Sequence, residues 1–406
     1  MGPAWFRPRG YKHLDSQVGA RFAAKVVSPT LVAQHSWSPL ISYDKQQKRY
    51  KSLERKTVMK SRQIMYASHR DACILSYYAA QLTDLLDQQY QEVGLNDVVI
   101  AYRTLGKSNY DFTADALAFA QAHSPCVLLC FDVTGFFDNL DHRVLKSALT
   151  GVLGGTSLPP DWYAVLKAVS KFRHIPLAAL KSHPTFAANI KRRSRTPIAT
   201  IAEVKASGIV IEGNSNGYGI PQGTPISAAL SNLYMWELDV VMAAACLQNG
   251  AFYQRYSDDI LLAVPSDVEA SLADLLVQTL AGLKLKLNAE KTERIIFDLS
   301  LPETIQYLGF NISPGGTVIR PGSLSRQWRK ARRSIRQTQK VGEAAIAAGT
   351  ATKIFTKKLR RRFLLTGTRN FSSYARRSAK ALGSKKILKQ VRRLERMVER
   401  TLDDLP

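Results

Sequence analysis

Two adjacent carboxylates in the stretch FYQRYSDDILLAVP (252–265) are the residues of this sequence with the clearest capacity for chemistry. Asp258 and Asp259 lie between two apolar arms, where mutual repulsion and loss of hydration disfavour paired negative charge. A third acid, Asp132, ends the apolar run VLLCFD. Carboxylate oxygens suit Mg²⁺, and two ions roughly 3.5–4 Å apart could activate a hydroxyl and stabilise a departing pyrophosphate. The alternative interpretation is a solvated hairpin turn that carries two acids.

Gln222 is a second candidate site residue, in the segment GIPQGTPISAALSNLYM (219–235). Gly219, Gly223 and Pro225 surround it, and glycine lets the backbone approach a flat ligand closely. Helix-forming apolar positions follow, with Pro225 near the predicted helix N-terminus. Two interpretations stay open, a ligand-binding loop and a Gly/Pro turn that leads into a core helix.

Strands and a helix are predicted to position these groups. Residues 124–132 and 251–264 contain short apolar runs with aromatic and β-branched side chains, which favours strands. Residues 224–247 have the pattern of a helix. Strand, helix and strand sharing one core predict an α+β domain, in which adjacent strands would bring Asp132 and Asp258 together.

Most of the remaining chain is predicted to be helical. Residues 60–122 and 150–190 fit this pattern, whereas 191–218 form a looser segment that is basic and contains several Gly and Asn residues. Near the end of the chain, apolar residues recur at helical spacing. These are Ile387, Val391, Leu394 and Val398.

Positive charge is the strongest global signal. The 406 residues carry a formal net charge of +25, and 45% of them are hydrophobic, which is enough for a sizeable buried core. Residues 326–406 contain 24 Lys and Arg against 5 Asp and Glu, a net charge of +19. A solvated helical tail would normally mix the two signs. We therefore expect a polyanionic partner, nucleic acid in preference to a membrane surface.

The sequence predicts neither secretion nor membrane insertion. Its longest clear apolar run is VVMAAACL (240–247), well short of the ~18–20 residues that cross a bilayer. The start, MGPAWFRPRG, lacks the apolar core of a signal peptide. The four cysteines, at positions 73, 126, 130 and 246, form no paired CxxC pattern and are expected to be free thiols. We expect a cytoplasmic protein with no membrane partner.

Three motifs, taken in order, resemble the A, B and C motifs of reverse transcriptases. They are FDVTGFFDNLDH, GIPQGTPISAALSNLYM and YSDD, and Asp132 and Asp258 stand 126 positions apart. The resemblance implies an RNA-directed DNA polymerase with a right-hand fold, built from fingers, a palm with an antiparallel sheet, and a helical thumb.

Other segments are similar to further parts of the same family. YRTLGKSNYDF (102–112) resembles the fingers segment that grips the triphosphate, LKLNAEKTERI (285–295) resembles motif D, and YLGFNI (307–312) resembles the primer grip. The resemblance covers about residues 55–315. It implies an N-terminal extension (1–54), fingers and palm insertions (55–122 with 150–218), a catalytic palm (123–149 with 219–315) and a basic helical thumb (316–406).

The resemblance assigns the catalytic roles by position. Asp132, Asp258 and Asp259 would bind two Mg²⁺ ions, with Mn²⁺ as an alternative, and would be catalytic. Lys291 matches the motif D lysine that is proposed to protonate pyrophosphate. An ordinary surface lysine is the alternative for Lys291, because the sequence is rich in Lys and Arg.

Four residues are implied to contact the incoming nucleotide. Phe137, five positions after Asp132, matches the aromatic residue that excludes a ribose 2′-hydroxyl, so deoxynucleoside triphosphates would be the substrates. Gln222 would lie against the nucleotide and the template. Arg103 and Lys107 would hold the phosphates by charge, although both could also be ordinary surface cations.

The basic tail lies where reverse transcriptases carry a thumb, which holds a template-primer duplex through its phosphates. Trp328 and Phe363 could pack in the core or stack on a base. The residues predicted to bind nucleic acid are Arg329, Lys330, Arg332, Arg333, Lys357, Lys358, Arg360, Arg361 and Arg362.

Residues 60–82 (KSRQIMYASHRDACILSYYAAQL) are similar to stand-alone bacterial defence-associated reverse transcriptases of the class 2 type. That similarity implies a noncoding RNA template, a cDNA product and an antiphage role. A retron enzyme is an alternative, although GGTVIRPGSL (315–324) stands where retron thumbs carry a Val-Thr-Gly signature. Untemplated or protein-primed synthesis, as in abortive-infection relatives, and an idle RNA-binding scaffold stay open as well.

Overall fold

The computed structural model describes residues 2–51 and 56–405. Helices supply most of its regular structure. In chain order they are α1 (Ala20–Lys25), α2 (Pro29–Ala33), α3 (His69–Glu92), α4 (Asn109–Ala122), α5 (His142–Val152), α6 (Pro160–Ser170), α7 (Leu177–Ser182), α8 (Pro184–Lys191), α9 (Ile201–Ala206), α10 (Ser227–Tyr234), α11 (Trp236–Gln248), α12 (Glu269–Gly282), α13 (Pro321–Ala347), α14 (Lys357–Phe363), α15 (Phe371–Ala381) and α16 (Lys385–Asp403).

Strands form sheets that are mostly antiparallel, and together with the helices they confirm the predicted α+β class. Short 3₁₀ helices span Phe136–Asp138 and Ala289–Lys291. The strands are β1 (Leu40–Lys51), β2 (Lys56–Tyr66), β3 (Cys126–Asp132), β4 (Arg173–Pro176), β5 (Glu212–Gly213), β6 (Phe252–Tyr256), β7 (Asp259–Val264), β8 (Glu293–Phe297), β9 (Ile305–Tyr307), β10 (Phe310–Ile312) and β11 (Val318–Ile319).

The chain folds into two compact units. The first comprises residues 1–103, 133–241 and 276–287, and the second comprises 104–132, 242–275 and 288–406. The boundaries expected for fingers, palm and thumb stay a prediction.

A four-stranded antiparallel sheet in the order β6-β7-β3-β8 forms the centre of the second unit. Its strands β3, β6 and β7 confirm the strands predicted in 124–132 and 251–264. Leu128 and Leu261, on neighbouring strands, share one buried core with Ala116 of α4 and Ala379 of α15. Burial of these apolar side chains fixes the register of the sheet, because a slip of one residue would turn them toward solvent.

The predicted helical tail forms α13 to α16 in the same unit. The four residues expected at helical spacing are all buried in α16, with at most 1% of their surface exposed. Phe363 is also buried, in a core with Ala331 and Ile335, which confirms the core-packing interpretation for this ring. Trp328 packs against that core while only partly buried.

The first unit corrects one expectation. Residues 60–66, predicted to be helical, belong to β2, which pairs antiparallel with β1 along its whole length. Residues 60–66 form a strand because they pair with β1, which lies outside this segment of the sequence. β1 also pairs in parallel with β4, and β4 interrupts the helices predicted over 150–190. The helical segment begins instead at His69, where the Ser68 hydroxyl accepts a hydrogen bond from the Asp71 amide at 3.2 Å.

Two further sequence expectations concern the membrane and the thiols. Within residues 2–51 and 56–405, no single helix is long and apolar enough to cross a membrane, although α10 and α11, bent by 48° at their junction, meet the length and composition criteria as a pair. All four cysteines are free, as predicted, and burial raises the pKa of Cys73 and Cys126 to about 11.

Candidate active site

The strand register brings the predicted carboxylates together. Asp132, the last residue of β3, lies directly opposite Asp259, the first residue of β7. Directly opposed residues of an antiparallel pair have Cβ atoms roughly 4.5–5.5 Å apart. Asp258 precedes Asp259 in the turn between β6 and β7. Three acids from two chain segments therefore gather at one end of the central sheet.

The sequence analysis did not identify Arg255, which supports this turn. Its side chain is fully buried, and Nη1 donates a hydrogen bond to the Ser257 carbonyl at 3.0 Å. Ser257 itself has a φ of 61°, the left-handed conformation that a non-glycine residue adopts only when its surroundings hold it there. An arginine inside the apolar run FYQRY was the available signal, because fully buried cations are rare unless they are paired.

Asp259 carries the clearest electrostatic effect of the site. The residue keeps an exposed surface, but nearby protein removes water from its carboxylate and raises its pKa to about 6. Repulsion from Asp258 and Asp132 adds to this rise, whereas Lys291 and Arg320 lower the pKa without cancelling it. Three carboxylates thus face two cations at this site.

Lys291 lies in direct contact with one of the three acids. The Asn288 amide donates a hydrogen bond to the Asp132 carbonyl at 2.8 Å, which ties the 3₁₀ turn Ala289–Lys291 to the end of β3. From this turn, the Lys291 Nζ donates a hydrogen bond to Asp132 Oδ2. The ammonium group that the sequence predicted as a proton donor is therefore held at the carboxylates, with 38% of the side chain exposed.

Phe137 and the segment that carries Gln222 lie next to each other in the first unit, where backbone hydrogen bonds hold this segment on both sides. The Ile220 amide donates to the Phe137 carbonyl at 2.9 Å, and the Met65 amide donates to the Gln222 carbonyl at 2.8 Å. Both predicted side chains are half-buried. Backbone hydrogen bonds therefore connect the segments that carry Phe137 and Gln222, two residues that are predicted to contact the incoming nucleotide.

Gly223 shows why this loop needs glycine. Its φ is +113°, and a Cβ atom at this position would lie 2.6 Å from the Met65 carbonyl oxygen. No side chain fits such a gap without moving the backbone. The close approach of the loop to β2 therefore depends on Gly223.

Arg103 occupies a different environment from the one predicted. Only 2% of its side chain is exposed, and its Nε donates to Asp87 Oδ1 at 2.5 Å. The rest of the guanidinium donates to the Asn96 and Val99 carbonyls and to the Asn96 side chain. These contacts are typical of a structural anchor, and phosphate binding by Arg103 would require them to break.

Lys107 is partly exposed and pairs with Asp115 at 3.1 Å, so its phosphate contact stays a prediction.

The cations predicted on α13 and α14 are displayed outward. Arg360 is an exception, because it is half-buried and pairs with Asp403 at 2.5 Å. The Arg332 guanidinium lies over the Trp328 ring, 5.4 Å from its centroid. A cleft of about 370 Å³ on this helical part is lined by Lys330 and Arg361, among others. The exposed members of the predicted set are Arg329, Lys330, Arg332, Arg333, Lys357, Lys358, Arg361 and Arg362.

Residues 59–312 match the protein family described as reverse transcriptase (RNA-dependent DNA polymerase). The match extends over more than half of the chain and contains Asp132, Asp258 and Asp259 with their strands. The chain therefore belongs to the reverse transcriptase family, and its fold is that of a right-hand polymerase.

Solved polymerase structures share low identity with the chain. A telomerase from Candida tropicalis, truncated of its C-terminal domain, is 11% identical over 73% of this chain and 59% of its own, with a TM-score of 0.44. A telomerase from Candida albicans, in complex with a fragment of telomeric RNA, is 12% identical, and the match covers 95% of this chain and 68% of the telomerase chain, with a TM-score of 0.46. An RNA-dependent RNA polymerase of a human picobirnavirus is 14% identical, and the match covers 68% of this chain and 44% of the viral chain, with a TM-score of 0.41.

Domains of this family generally use divalent metal ions, and the candidate ligands in this chain are Asp132, Asp258 and Asp259. Within the described residues, no group of three or more His, Cys, Asp or Glu side chains is arranged so that it could hold a metal ion. The donor chemistry nevertheless fits a hard cation, because Asp132, Asp258 and Asp259 offer only oxygen ligands. The raised pKa of Asp259 also fits a cation site, because a bound cation would relieve the repulsion from Asp258 and Asp132 that contributes to this pKa.

Proposed function

We propose that this chain is an RNA-directed DNA polymerase whose active centre is formed by Asp132, Asp258 and Asp259. The observation that carries the proposal is the direct opposition of Asp132 and Asp259 across β3 and β7, with Asp258 in the adjoining turn. Such a cluster of carboxylates is suited to divalent cations, and Mg²⁺ is the proposed metal. Two bound ions would supply charge stabilisation for an in-line attack on a triphosphate.

The side chains of the chain itself perform the remaining steps. Lys291, which is hydrogen-bonded to Asp132, is proposed to donate a proton to the departing pyrophosphate. Phe137 presents a half-buried ring that excludes a nucleotide bearing a 2′-hydroxyl, so deoxynucleoside triphosphates are the substrates. Gln222 contacts the nucleotide and the template from a loop held against β2.

Charge supports a nucleic-acid template and product. The helices α13 and α14 display Lys and Arg on exposed positions, and such groups bind phosphates without regard to sequence. A template-primer duplex is the polyanion that a polymerase must hold, so the basic helices are proposed to hold it.

The proposed template is a structured noncoding RNA, and the proposed setting is antiphage defence in the bacterial cytoplasm. Support comes from the similarity of residues 60–82 to stand-alone defence-associated reverse transcriptases of the class 2 type. The proposed product is cDNA.

Purification with bound nucleic acid tests this function. Co-purifying RNA would be sequenced, and deoxynucleoside triphosphates with Mg²⁺ would then be added to the complex. DNA complementary to the co-purified RNA supports the proposal, whereas DNA without any template relation would indicate untemplated or protein-primed synthesis instead. Absence of DNA under Mg²⁺ and Mn²⁺ would leave an RNA-binding scaffold.

A further inference from the structure

A cavity of about 570 Å³ lies in the first unit, between the segment that follows α2 and one face of α6. We call it the α2–α6 pocket. Ala164, Lys167, Ala168 and Lys171 line it at helical spacing. The two alanines leave room above the helix, and a volume of this size is typical of small-ligand sites. None of the residues assigned to catalysis lines the pocket.

Aromatic rings form the walls of the pocket. Trp37 and Phe172 are half-buried and Tyr163 is 48% exposed, so flat surfaces face the cavity from two segments of the chain. Such rings stack on nucleobases irrespective of base identity.

Positive charge lines the rim, and no Asp or Glu side chain lines the pocket. Lys167 and Arg173 are exposed, and neither forms an ion pair with the described part of the chain. Lys171 is already engaged, because its Nζ donates to the Asn216 carbonyl at 2.8 Å. Two cations are thus available for an anionic group, and phosphate is the anion that accompanies a nucleobase.

Trp37 supplies an independent observation. Its indole Nε1 is buried without a hydrogen-bond partner among the described residues. A buried N–H that makes no hydrogen bond costs roughly 1–3 kcal/mol, and an acceptor on a ligand or a water that reached it would remove that cost. His35, whose ring lies 5.0 Å from the Trp37 ring, is fixed by a 2.7 Å hydrogen bond to the buried Asp71. The Trp37 wall is therefore held in place by its neighbours.

We propose that the α2–α6 pocket binds a nucleoside phosphate, with the base against Trp37 and Phe172 and the phosphate on Lys167 and Arg173. An unpaired nucleotide of a bound nucleic-acid strand and a free nucleotide share this chemistry. The proposal does not depend on the polymerase activity.

Photocrosslinking tests the pocket in the full-length protein. Two probes are compared, a single-stranded 12-mer RNA containing 4-thiouridine and free 4-thiouridine triphosphate, with crosslinked peptides identified by mass spectrometry. We expect crosslinks on the peptides that contain Trp37 and Tyr163. Crosslinks to the RNA alone assign a strand as the ligand, and crosslinks to the free triphosphate, removed by excess unlabelled nucleotide, assign a free nucleotide. Absence of pocket crosslinks with both probes would overturn the proposal.

Matched variants separate the pocket from general charge effects. Lys167→Glu with Arg173→Glu should reduce the pocket crosslinks roughly tenfold or more, because the charge-assisted phosphate contacts are lost and two negative charges replace them. Lys181→Glu with Lys205→Glu makes the same charge change on exposed helical residues outside the pocket and should leave the crosslinks unchanged. Equal losses in both double variants would contradict the proposal.

Two further measurements keep the result interpretable. Trp37→Phe keeps a ring but removes the buried N–H, and should weaken the pocket crosslinks severalfold without changing the melting temperature by more than a few degrees. Primer extension on a short preformed template-primer should be unchanged in the Lys167→Glu, Arg173→Glu variant. Conversely, Asp258→Asn should keep the pocket crosslinks even if it loses synthesis, so failure of the pocket and failure of the proposed polymerase activity are distinguishable.

Discussion

Asp132 of β3 lies directly opposite Asp259 of β7, in the register pair that ends β3 and begins β7. Each carboxylate therefore lies within the electrostatic reach of the other, and the pKa of Asp259 is raised by burial and by the two neighbouring acids. Strand pairing would normally avoid opposed like charges, because they destabilise a sheet. The proposed catalytic role, which needs concentrated negative charge, would account for their opposition here.

Replacement of Lys291 tests its proposed part in proton transfer. Lys291→Gln should lower kcat for DNA synthesis by about 10²-fold, because general acid catalysis typically contributes a factor of this size or more. Lys291→Arg should not restore the rate, because a guanidinium keeps a cation beside Asp132 but does not release its proton at neutral pH. Lys286→Gln, a change at an exposed lysine in the preceding segment, is the control. A kcat for Lys291→Gln equal to that of the control would exclude the role.

The ring of Phe137 should set the choice of sugar. Phe137→Ala removes the bulk proposed to meet a 2′-hydroxyl. The preference of the variant for a deoxynucleotide over its ribonucleotide counterpart should therefore fall at least roughly tenfold. Phe137→Tyr keeps the ring and should keep the discrimination. The measurement is the ratio of kcat/KM for a deoxynucleotide and its ribonucleotide counterpart, and an unchanged ratio in the alanine variant would remove the gate role.

Gly223 should tolerate no side chain. Gly223→Ala places a Cβ atom against the Met65 carbonyl oxygen at a φ that L residues rarely adopt, so the loop must shift and displace Gln222. We expect a cost of about 1–3 kcal/mol in the free energy of unfolding and a raised KM for the nucleotide. Gly217→Ala, in the same loop with open space around its Cβ, should behave as wild type. Equal effects at both glycines would contradict the argument.

The buried His13 predicts a dependence of stability on pH. Its side chain has no exposed surface, and burial lowers its pKa from 6.5 to about 4. Between these two values the unfolded chain binds the proton and the folded chain does not, so the free energy of unfolding falls as the pH decreases from 6.5 toward 4. The contribution lost is about 3 kcal/mol at most.

His13→Phe removes this proton site while keeping a ring beside Tyr66, which the native ring approaches edge-on at 5.5 Å. Chemical unfolding at pH 7 and pH 5 measures the effect, with His123→Gln, at an exposed histidine, as the control. Stability should fall less between the two pH values in His13→Phe than in wild type. Parallel pH curves for wild type and the variant would show that His13 does not carry the effect.

Local patterns were sufficient to predict much of the second unit. Asp132 and Asp258 each adjoin a run of apolar residues that reads as a strand, and Val391 and Leu394 recur at helical spacing. In each case, the residues that decide the structure are neighbours in sequence. The strands and α16 therefore appeared where they were expected.

Contacts between distant residues explain what the sequence did not reveal. The strand over 60–66 depends on pairing with β1, for example between Ile41 and Tyr66. Arg103 has the position of a phosphate ligand in the motif, yet Asp87 and the carbonyls of Asn96 and Val99 converge on its guanidinium only in the folded chain. No local pattern predicts that these acceptors meet the same side chain.

Primer extension by Asp258→Asn tests the central claim most directly. The substitution keeps the shape of the side chain but removes one negative charge from the acidic cluster, while Asp267→Asn, at an exposed residue beyond β7, provides the matched control. Our account predicts that Asp258→Asn loses DNA synthesis by about 10³-fold or more, equivalent to roughly 4 kcal/mol, while retention of bound RNA stays close to wild type. DNA synthesis by Asp258→Asn at the rate of the control would contradict the assignment of these carboxylates as the catalytic centre.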